Sequence, residues 1–180
     1  MNRSQLEHII RAAGSIADDR EIIVLGSTSI LGQFPGFPEA LLLSVEADVF
    51  PKNKPHMSDV IDGSIGELSP FHQAFGYYAH GVGAETAGNL PDGWNTRLVP
   101  LSGPNTEGVT GWCVEIHDLV AGKYVSAREK DLQFIAAVLT EGLVKQEMLL
   151  ARTDSLRVDE GTKKRIRERI LSDFERIAPA

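Results

Sequence analysis

The sequence predicts an α/β (α+β) fold in which a mixed β-sheet is flanked by helices and the C-terminal part is helical. Three patterns indicate this arrangement. A short β-branched apolar run at Glu21–Leu25 stops at a Gly-Ser dipeptide. Polar residues recur at every second position towards the end of Ala40–Phe50, which is the period of a strand. From Asp118 onward the apolar residues recur at helical spacing instead.

The composition is that of a folded, water-soluble chain. Its 180 residues are 42% hydrophobic and 24% charged. No window approaches the roughly 20 apolar residues that cross a bilayer, so we predict a cytoplasmic protein without membrane contact. Residues 1–152 are expected to form the main domain, and residues 153–180 a polar linker with a charged helix. The single cysteine, Cys113, rules out an intrachain disulfide and is expected to be a packing residue.

A net charge of -7 argues against nonspecific binding of nucleic acid by the whole surface. Residues 152–180 hold eight Lys or Arg and six Asp or Glu, so the rest of the chain carries about -9. The basic run Lys163–Arg169 could meet a polyanion such as tRNA. It could equally be the solvated side of a helix that packs through Ile166, Ile170 and Phe174.

The elements alternate at first and become helical later. The helices predicted in the first 70 residues are Leu6–Ile16 with Ser4 as its N-cap, Thr28–Gly32, and Ser58–Leu68, which Ser69–Pro70 would end. The later strands predicted are Gly76–Ala79, Arg97–Leu101 and Gly111–Ile116, for which short connections favour antiparallel pairing. The last helices predicted are Asp118–Leu139, with a break at Glu141–Gly142, and Arg157–Ile177.

Two short segments carry residues suited to phosphate chemistry. Gly26 lets the backbone approach a phosphate closely, and Ser27 adds a hydroxyl donor, although a Gly-Ser after a strand is most often an ordinary turn. Glu46 and Asp48 project from one side of the predicted strand, near enough to share a metal ion. A half-exposed strand that faces water would show the same alternation.

A cluster of aromatic residues lies near a predicted strand. Its members are His72, Tyr77, Tyr78 and His80. They could stack on a base or fill the core, and the core is favoured. The five histidines lack the short, regular spacing of a zinc site.

The segment Ile23–Ser27, followed by Glu46–Asp48, resembles the paired signature of the DNA polymerase β-like nucleotidyltransferases. This resemblance implies a nucleotidyltransferase-like fold. It also implies that Gly26 and Ser27 contact the phosphates of a nucleoside triphosphate, and that Glu46 and Asp48 hold Mg²⁺ (or Mn²⁺).

A later segment is similar to the motifs of AbiEii-type nucleotidyltransferase toxins. It consists of Asp118-Leu119, Lys123, Arg128, Lys130 and Asp131. Within one helix, Lys123, Ala127 and Lys130 would share a side and could reach one phosphate cluster. The alternative is a surface helix with ion pairs.

The whole chain most resembles an uncharacterised bacterial subfamily of nucleotidyltransferases. The segments that carry this resemblance are Leu31–Pro35, Gly66–His72 and Gly108–Cys113, in that order.

Three positions depart from these patterns. Glu46 stands where many relatives have aspartate. Arg97–Leu101 holds no acid that could be a third metal ligand, which leaves Glu115 as the nearest candidate. The second acid of the final toxin motif would fall near Phe134, which cannot bind a metal. A non-catalytic binding protein of the same fold, antitoxin-like or regulatory, is therefore a second hypothesis. A small-molecule transferase of the aminoglycoside-modifying kind is a third, and it would need an acidic acceptor pocket.

The favoured prediction is an enzyme that transfers a nucleotidyl group to RNA (tRNA) or protein, in a possible toxin–antitoxin setting. The expected catalytic residues are Asp48, Lys123 and Asp131; the expected phosphate-binding residues are Gly26, Ser27, Lys123, Arg128 and Lys130; the expected metal ligands are Glu46 and Asp48. Asp131 would orient a lysine or activate the acceptor hydroxyl. The expected partners are an NTP, the acceptor, and a cognate antitoxin or toxin.

Overall fold

The computed structural model describes residues 1–38, 41, 42 and 44–177. Contacts divide the chain into two compact units. Unit 1 comprises Met1–Ala87 with Arg97–Glu115, and unit 2 comprises Gly88–Thr96 with the chain from Ile116 onward. The domain boundary suggested by the sequence, after residue 152, lies inside a helix of unit 2. Whether residues 1–152 fold by themselves stays a prediction.

Unit 1 is built on a five-stranded mixed sheet, which confirms the predicted fold class. The strands are β1 (Glu21–Val24), β2 (Glu46–Pro51), β3 (Tyr78–Gly81), β4 (Val99–Leu101) and β5 (Thr110–Cys113). Their order is β3-β2-β1-β5-β4. The pairs β1–β2 and β4–β5 are antiparallel, whereas β2–β3 and β1–β5 are parallel. The expectation of antiparallel pairing for the later strands is therefore correct only for β4–β5. β3 follows β2 through two helices and pairs with it in parallel, at the opposite edge of the sheet from β4.

The helices of unit 1 are α1 (Arg3–Ala17), α2 (Ile30–Gln33), α3 (Ser58–Ile65) and α4 (Pro70–Phe75). The apolar side of α1 is buried at Leu6, Ile9 and Ile10. Its N-cap is Asn2 and not Ser4, because the Asn2 side chain accepts from the Gln5 backbone while the Gln5 side chain accepts from the Asn2 backbone. This reciprocal capping box places the N-cap two residues before the predicted one.

Ser69–Pro70 begins a helix and does not end one. α3 already ends at Ile65, and the Ser69 hydroxyl accepts a hydrogen bond from the His72 backbone at 3.1 Å. Proline in the first turn lacks only a donor that a helix start leaves unpaired. The dipeptide is therefore the start signal of α4.

Two strands are displaced from their predicted positions. β2 begins at Glu46, well after the predicted start at Ala40, and residues 39, 40 and 43 lie outside the described part. β3 begins at Tyr78 and not at Gly76, because Gly76 adopts a left-handed conformation (φ 75°) that ends α4.

Unit 2 contains the helices α5 (Ile116–Ser126), α6 (Glu129–Thr140), α7 (Gln146–Asp154) and α8 (Glu160–Ile177). The predicted helix from Asp118 to Leu139 is two helices, since Ala127 takes a left-handed conformation (φ 48°) and Arg128 is extended. The break at Glu141–Gly142 is confirmed. α7 escaped prediction because its apolar residues Met148, Leu149 and Leu150 are consecutive and show no helical period.

Two smaller expectations can be compared with the structure. Among the described residues, no helix has the length and hydropathy that crossing a bilayer requires. Cys113 is fully buried, and burial raises the pKa of its thiol to about 12. The thiol is a packing residue, as the sequence analysis expected.

Candidate functional site

The Gly-Ser turn follows directly from the central strand of the sheet. Gly26 has φ 65° and ψ -171°, a combination essentially restricted to glycine. Both the backbone N–H and the hydroxyl of Ser29 donate to the Gly26 carbonyl, at 3.2 and 2.8 Å. These bonds hold the 3₁₀ turn Ser27–Ser29, and Gly26 and Ser27 remain partly exposed at the end of β1.

The two acids lie on the neighbouring strand, beside this turn. Glu46 and Asp48 are half-buried while Ala47 between them is fully buried, so both acids project from one side of β2 as predicted. The Leu25 N–H donates to the Asp48 carbonyl at 2.8 Å. A Cβ placed on Gly26 would lie 2.5 Å from Oδ2 of Asp48. The Asp48 carboxylate therefore lies directly against the turn, in space that only a glycine leaves open.

The strand on the other side of β2 supplies a hydrogen-bond donor to each acid. In the parallel register Tyr78 is opposite Glu46 and His80 is opposite Asp48. The Tyr78 hydroxyl donates to Oε2 of Glu46 at 3.0 Å, and Nδ1 of His80 lies 2.9 Å from Oδ1 of Asp48. Burial, aided by the Glu46 carboxylate, raises the pKa of Tyr78 to about 12. The Tyr78 hydroxyl therefore stays protonated and remains a donor.

The preference for the core in the aromatic cluster is correct for the tyrosines and wrong for one histidine. Tyr77 and Tyr78 are buried, whereas the His80 side chain is 53% exposed. Sequence reasoning missed the role of His80 as a partner of Asp48. The role could not be predicted because the sequence does not show that β3 pairs with β2. The alternation of Tyr78 and His80 predicts a strand, but it does not predict which strand lies beside it.

The chemistry of these side chains can be compared with the needs of a divalent ion. Among the described residues, no group of three or more His, Cys, Asp and Glu side chains is arranged to hold a metal. Glu46 and Asp48 nevertheless offer hard carboxylate oxygens on one side of β2. Mg²⁺ usually takes one or two protein carboxylates and completes its coordination with substrate phosphates and water. The two acids thus fit an ion shared with a nucleotide better than an ion held by protein alone.

A second cluster of predicted site residues lies in unit 2, around Asp131. Its fully buried carboxylate accepts from Lys123 Nζ on Oδ1 and from Arg128 Nε on Oδ2, each at 2.8 Å. Burial opposes ionisation of Asp131, but the two donors outweigh it and hold its pKa below the ordinary value. The Lys123 ammonium also lies 4.8 Å from the Phe134 ring centre, and burial lowers its pKa.

The break between α5 and α6 changes how the basic residues are grouped. Lys123 lies on α5 and Lys130 on α6, with Ala127 in the connection between them. The predicted shared helix side of Lys123, Ala127 and Lys130 is therefore wrong. What unites the segment is Asp131, which contacts Lys123 and Arg128 from the first turn of α6. Asp118, from the same motif, is fully buried and pairs with Arg152 at 2.9 Å.

The predicted site residues thus fall into two sets. Gly26, Ser27, Glu46 and Asp48 come together in unit 1, and Lys123, Arg128 and Asp131 come together in unit 2. Over residues 4–178 the chain matches the model of a family described as nucleotidyltransferases of unknown function (DUF6036). The chain belongs to this nucleotidyltransferase family. No curated protein and no solved structure matches it.

β3, the strand beside β2, carries no acid opposite Glu46 or Asp48. Glu115, the candidate suggested by the sequence, follows β5 on the other side of β1. β1 and β5 are parallel with Val24 opposite Cys113, so Glu115 lies at the same edge of the sheet as Gly26. Within the described part of the chain it forms no three-ligand group with Glu46 and Asp48.

The turn after β1 holds one further polar atom that sequence reasoning missed. Thr28 is 1% exposed, and its Oγ1 has no hydrogen-bond partner among the described residues. A buried hydroxyl without a partner costs about 1–3 kcal/mol, so such an atom usually has a role or a water. A threonine inside a short turn is too common for the sequence to single it out.

Proposed function

We propose that the protein is a metal-dependent nucleotidyltransferase that moves an NMP group from an NTP to an RNA (tRNA) or protein acceptor. One observation carries this proposal: the Asp48 carboxylate lies against the Gly26 turn, with Oδ2 2.5 Å from the position of a Gly26 Cβ. Phosphates held by the turn would lie beside carboxylates able to bind an ion. The family membership supports the same chemistry.

In this proposal the residues of unit 1 bind and orient the triphosphate. The backbone of Gly26 and the hydroxyl of Ser27 would donate to phosphate oxygens. Glu46 and Asp48 would hold Mg²⁺ (or Mn²⁺), which, when bound, neutralises charge on the reacting phosphates. Tyr78 and His80 lie within hydrogen-bond distance of these two carboxylates.

The proposed transfer is a single displacement at the α-phosphorus. The acceptor hydroxyl oxygen forms a bond to that phosphorus, and the bond from phosphorus to the bridging oxygen of the β-phosphate breaks. Pyrophosphate leaves with the electron pair, and the acceptor proton passes to solvent.

The basic residues of unit 2 are proposed to stabilise phosphate charge. Lys123, Arg128 and Lys130 have this role by resemblance to the toxin motifs. Both oxygens of Asp131 are engaged by Lys123 and Arg128, and the carboxylate is fully buried. We therefore assign Asp131 to the orientation of Lys123 and not to the activation of an acceptor hydroxyl. A cognate antitoxin or toxin partner belongs to the same proposal.

A second candidate is a nucleotide-binding protein that performs no transfer. β3 places Tyr78 and His80 opposite the two acids of β2, so it supplies no carboxylate that could be a third metal ligand. This observation favours the second candidate. With two acids the ion would depend on the nucleotide for most of its ligands.

The test is transfer of label from each α-³²P-labelled NTP, with Mg²⁺, to total bacterial RNA and to a protein extract resolved on gels. We expect one labelled macromolecular band with the wild-type protein and its loss in Asp48→Asn. The matched control is Asp59→Asn, an exposed aspartate in the first turn of α3, which should leave the band unchanged. Labelling that persists in Asp48→Asn would contradict the proposed site. Nucleotide binding by folded protein without transfer would favour the second candidate.

A further inference from the structure

His80 is joined to Asp48 by a contact whose direction is chemically defined. Nδ1 of His80 lies 2.9 Å from Oδ1 of Asp48. An ionised carboxylate can only accept hydrogen bonds, so the proton of this contact belongs to Nδ1. The ring thus donates through Nδ1–H, and its tautomer follows from its partner.

The backbone that carries His80 is firmly held. The next residue, Gly81, packs so closely on α3 that a Cβ there would lie 2.0 Å from the Ser58 carbonyl oxygen. The Gly81 N–H donates to Oδ1 of Asp62 at 3.2 Å, and the Val82 N–H donates to the Val49 carbonyl at 3.0 Å. The backbone that carries the His80 imidazole therefore has little freedom to shift.

The Asp48 carboxylate is confined from two sides. His80 donates to Oδ1, while Oδ2 lies in the space left open by Gly26. Each carboxylate oxygen has two lone pairs, so this arrangement leaves acceptor sites on both oxygens for an ion. An aspartate that is already oriented loses less side-chain freedom when it binds a metal.

The contact is local, which makes it testable. The His80 side chain is 53% exposed, so replacing it opens no cavity in the core. Tyr78 holds Glu46 in a similar way but is itself buried, and its removal would disturb packing. His80 is therefore the partner whose effect on the acids can be measured separately from folding.

We propose that His80 is a positioning residue that orients the Asp48 carboxylate for a divalent ion through its Nδ1–H. This inference rests on the proposed function, because it takes Asp48 as a metal ligand. It adds a specific residue and a specific ring atom, and it requires nothing of the opposite ring nitrogen, Nε2.

The experiment measures binding of Mn²⁺ by electron paramagnetic resonance in the presence of a non-hydrolysable NTP analogue, because two carboxylates leave most of the ion's coordination to the nucleotide. Circular dichroism is the check on folding. His80→Leu removes the donor, and we expect its affinity for Mn²⁺ to fall roughly 10- to 100-fold, the usual effect of losing a hydrogen bond to a metal ligand. His80→Asn places an amide N–H near the position of Nδ1 and should bind Mn²⁺ nearly as well as wild type. His80→Gln places its amide near the position of Nε2 and should behave like His80→Leu. His56→Leu, an exposed histidine before α3, is the matched control and should have no effect.

Each outcome has a separate meaning. Unchanged Mn²⁺ affinity in a folded His80→Leu protein would overturn the role of His80 while leaving the metal site in place. Equal loss in His80→Asn and His80→Leu would show that an N–H near the position of Nδ1 does not maintain Mn²⁺ binding, which also overturns the proposal. A wild-type protein whose Mn²⁺ binding does not change in Asp48→Asn would overturn the proposed metal site itself and the role of His80 with it.

Discussion

At the scale of single residues, Gly26 links the conformation of the turn to the position of an acid. We expect Gly26→Ala to lower the free energy of unfolding by about 1–3 kcal/mol, because its φ and ψ are strained for any other residue. The new methyl group would also displace the Asp48 carboxylate, since 2.5 Å is far below van der Waals contact. Nucleotidyl transfer should therefore fall at least about tenfold, which is a cost of roughly 1.4 kcal/mol in the transition state.

Gly63→Ala is the matched control for this substitution. Gly63 lies within α3, and no heavy atom is within 4 Å of the position of its Cβ. The change should raise the free energy of unfolding by about 0.5–1 kcal/mol, because alanine is the better helix former. Urea unfolding and the labelling assay on both variants measure these effects. Full transfer activity in Gly26→Ala would show that the position of Asp48 does not matter.

Asp131 is the residue at which pH should act most clearly in unit 2. Its pKa is lower in the folded than in the unfolded state, so its stabilising effect is present above the unfolded pKa and is lost as pH falls through the folded value. We expect Asp131→Asn to lower the free energy of unfolding by about 3 kcal/mol at pH 7, because Lys123 loses a buried partner. The difference between wild type and variant should begin to shrink below pH ~4, where the Asp131 carboxyl of the unfolded chain becomes protonated.

Asp92→Asn provides the comparison for Asp131. Asp92 pairs with Arg157 at the surface, where both side chains are more than half exposed. Its effect should be within about 1 kcal/mol at any pH, as is usual for exposed pairs. Urea unfolding at pH 7 and pH 3 measures both variants. A difference for Asp131→Asn that is the same at both values would contradict the assigned ionisation.

At the scale of elements, the break between α5 and α6 places Asp131 in a first helical turn, where the helix dipole favours a carboxylate. The break requires a left-handed conformation at Ala127, which is unfavourable for a residue with a Cβ atom. Ala127→Gly should therefore raise the free energy of unfolding by about 0.5–1 kcal/mol, because glycine adopts that conformation without strain.

Within a continuous helix, replacing alanine with glycine is expected to lower the free energy of unfolding instead. A single helix through this region would make Ala127→Gly destabilising by about 1 kcal/mol. Ala136→Gly, an exposed position within α6, should be destabilising by that amount and serves as the control. Chemical unfolding monitored by circular dichroism distinguishes the two cases.

The elements also differ in how well sequence patterns predicted them. α1, α3 and α8 have strong helical periods, and β1 is a β-branched apolar run. All four were placed within a few residues. The start of β2 was placed too early because apolar residues before Glu46 look like strand residues. α4, α7 and the break at Ala127 were missed, since they depend on caps and packing that short-range patterns do not report.

At the scale of the whole molecule, charge is unevenly divided. Unit 1 contains six Lys or Arg and thirteen Asp or Glu, so it carries the whole net charge of -7, whereas unit 2 is balanced. An RNA acceptor should therefore be drawn to unit 2, and its binding should weaken steeply with salt. Lys164 on α8 is suited to this contact. Its side chain is 77% exposed, and its ion pair with Glu168 is long, with 3.9 Å between Nζ and Oε1.

We expect Lys164→Glu to weaken binding of tRNA at low salt and to reduce the salt dependence by about one unit of slope. Lys145→Glu makes the same charge change at another exposed position of unit 2 and should have a smaller effect. Filter binding across a range of salt concentrations provides the measurement. Absence of tRNA binding even at low salt would remove tRNA from the proposed acceptors.

The sequence by itself determined the parts of this protein that depend on neighbours along the chain. The Gly-Ser turn after a buried strand, and two acids on one side of the next, follow from residue type and a two-residue period. Only the tertiary structure decided which side chains surround those acids. Strand order is set by contacts between distant residues, and it places His80 and Tyr78 opposite Asp48 and Glu46 while Glu115 lies beyond β1. The structure also replaces the predicted helix side of Lys123, Ala127 and Lys130 with a cluster of Lys123, Arg128 and Asp131 across a helix break.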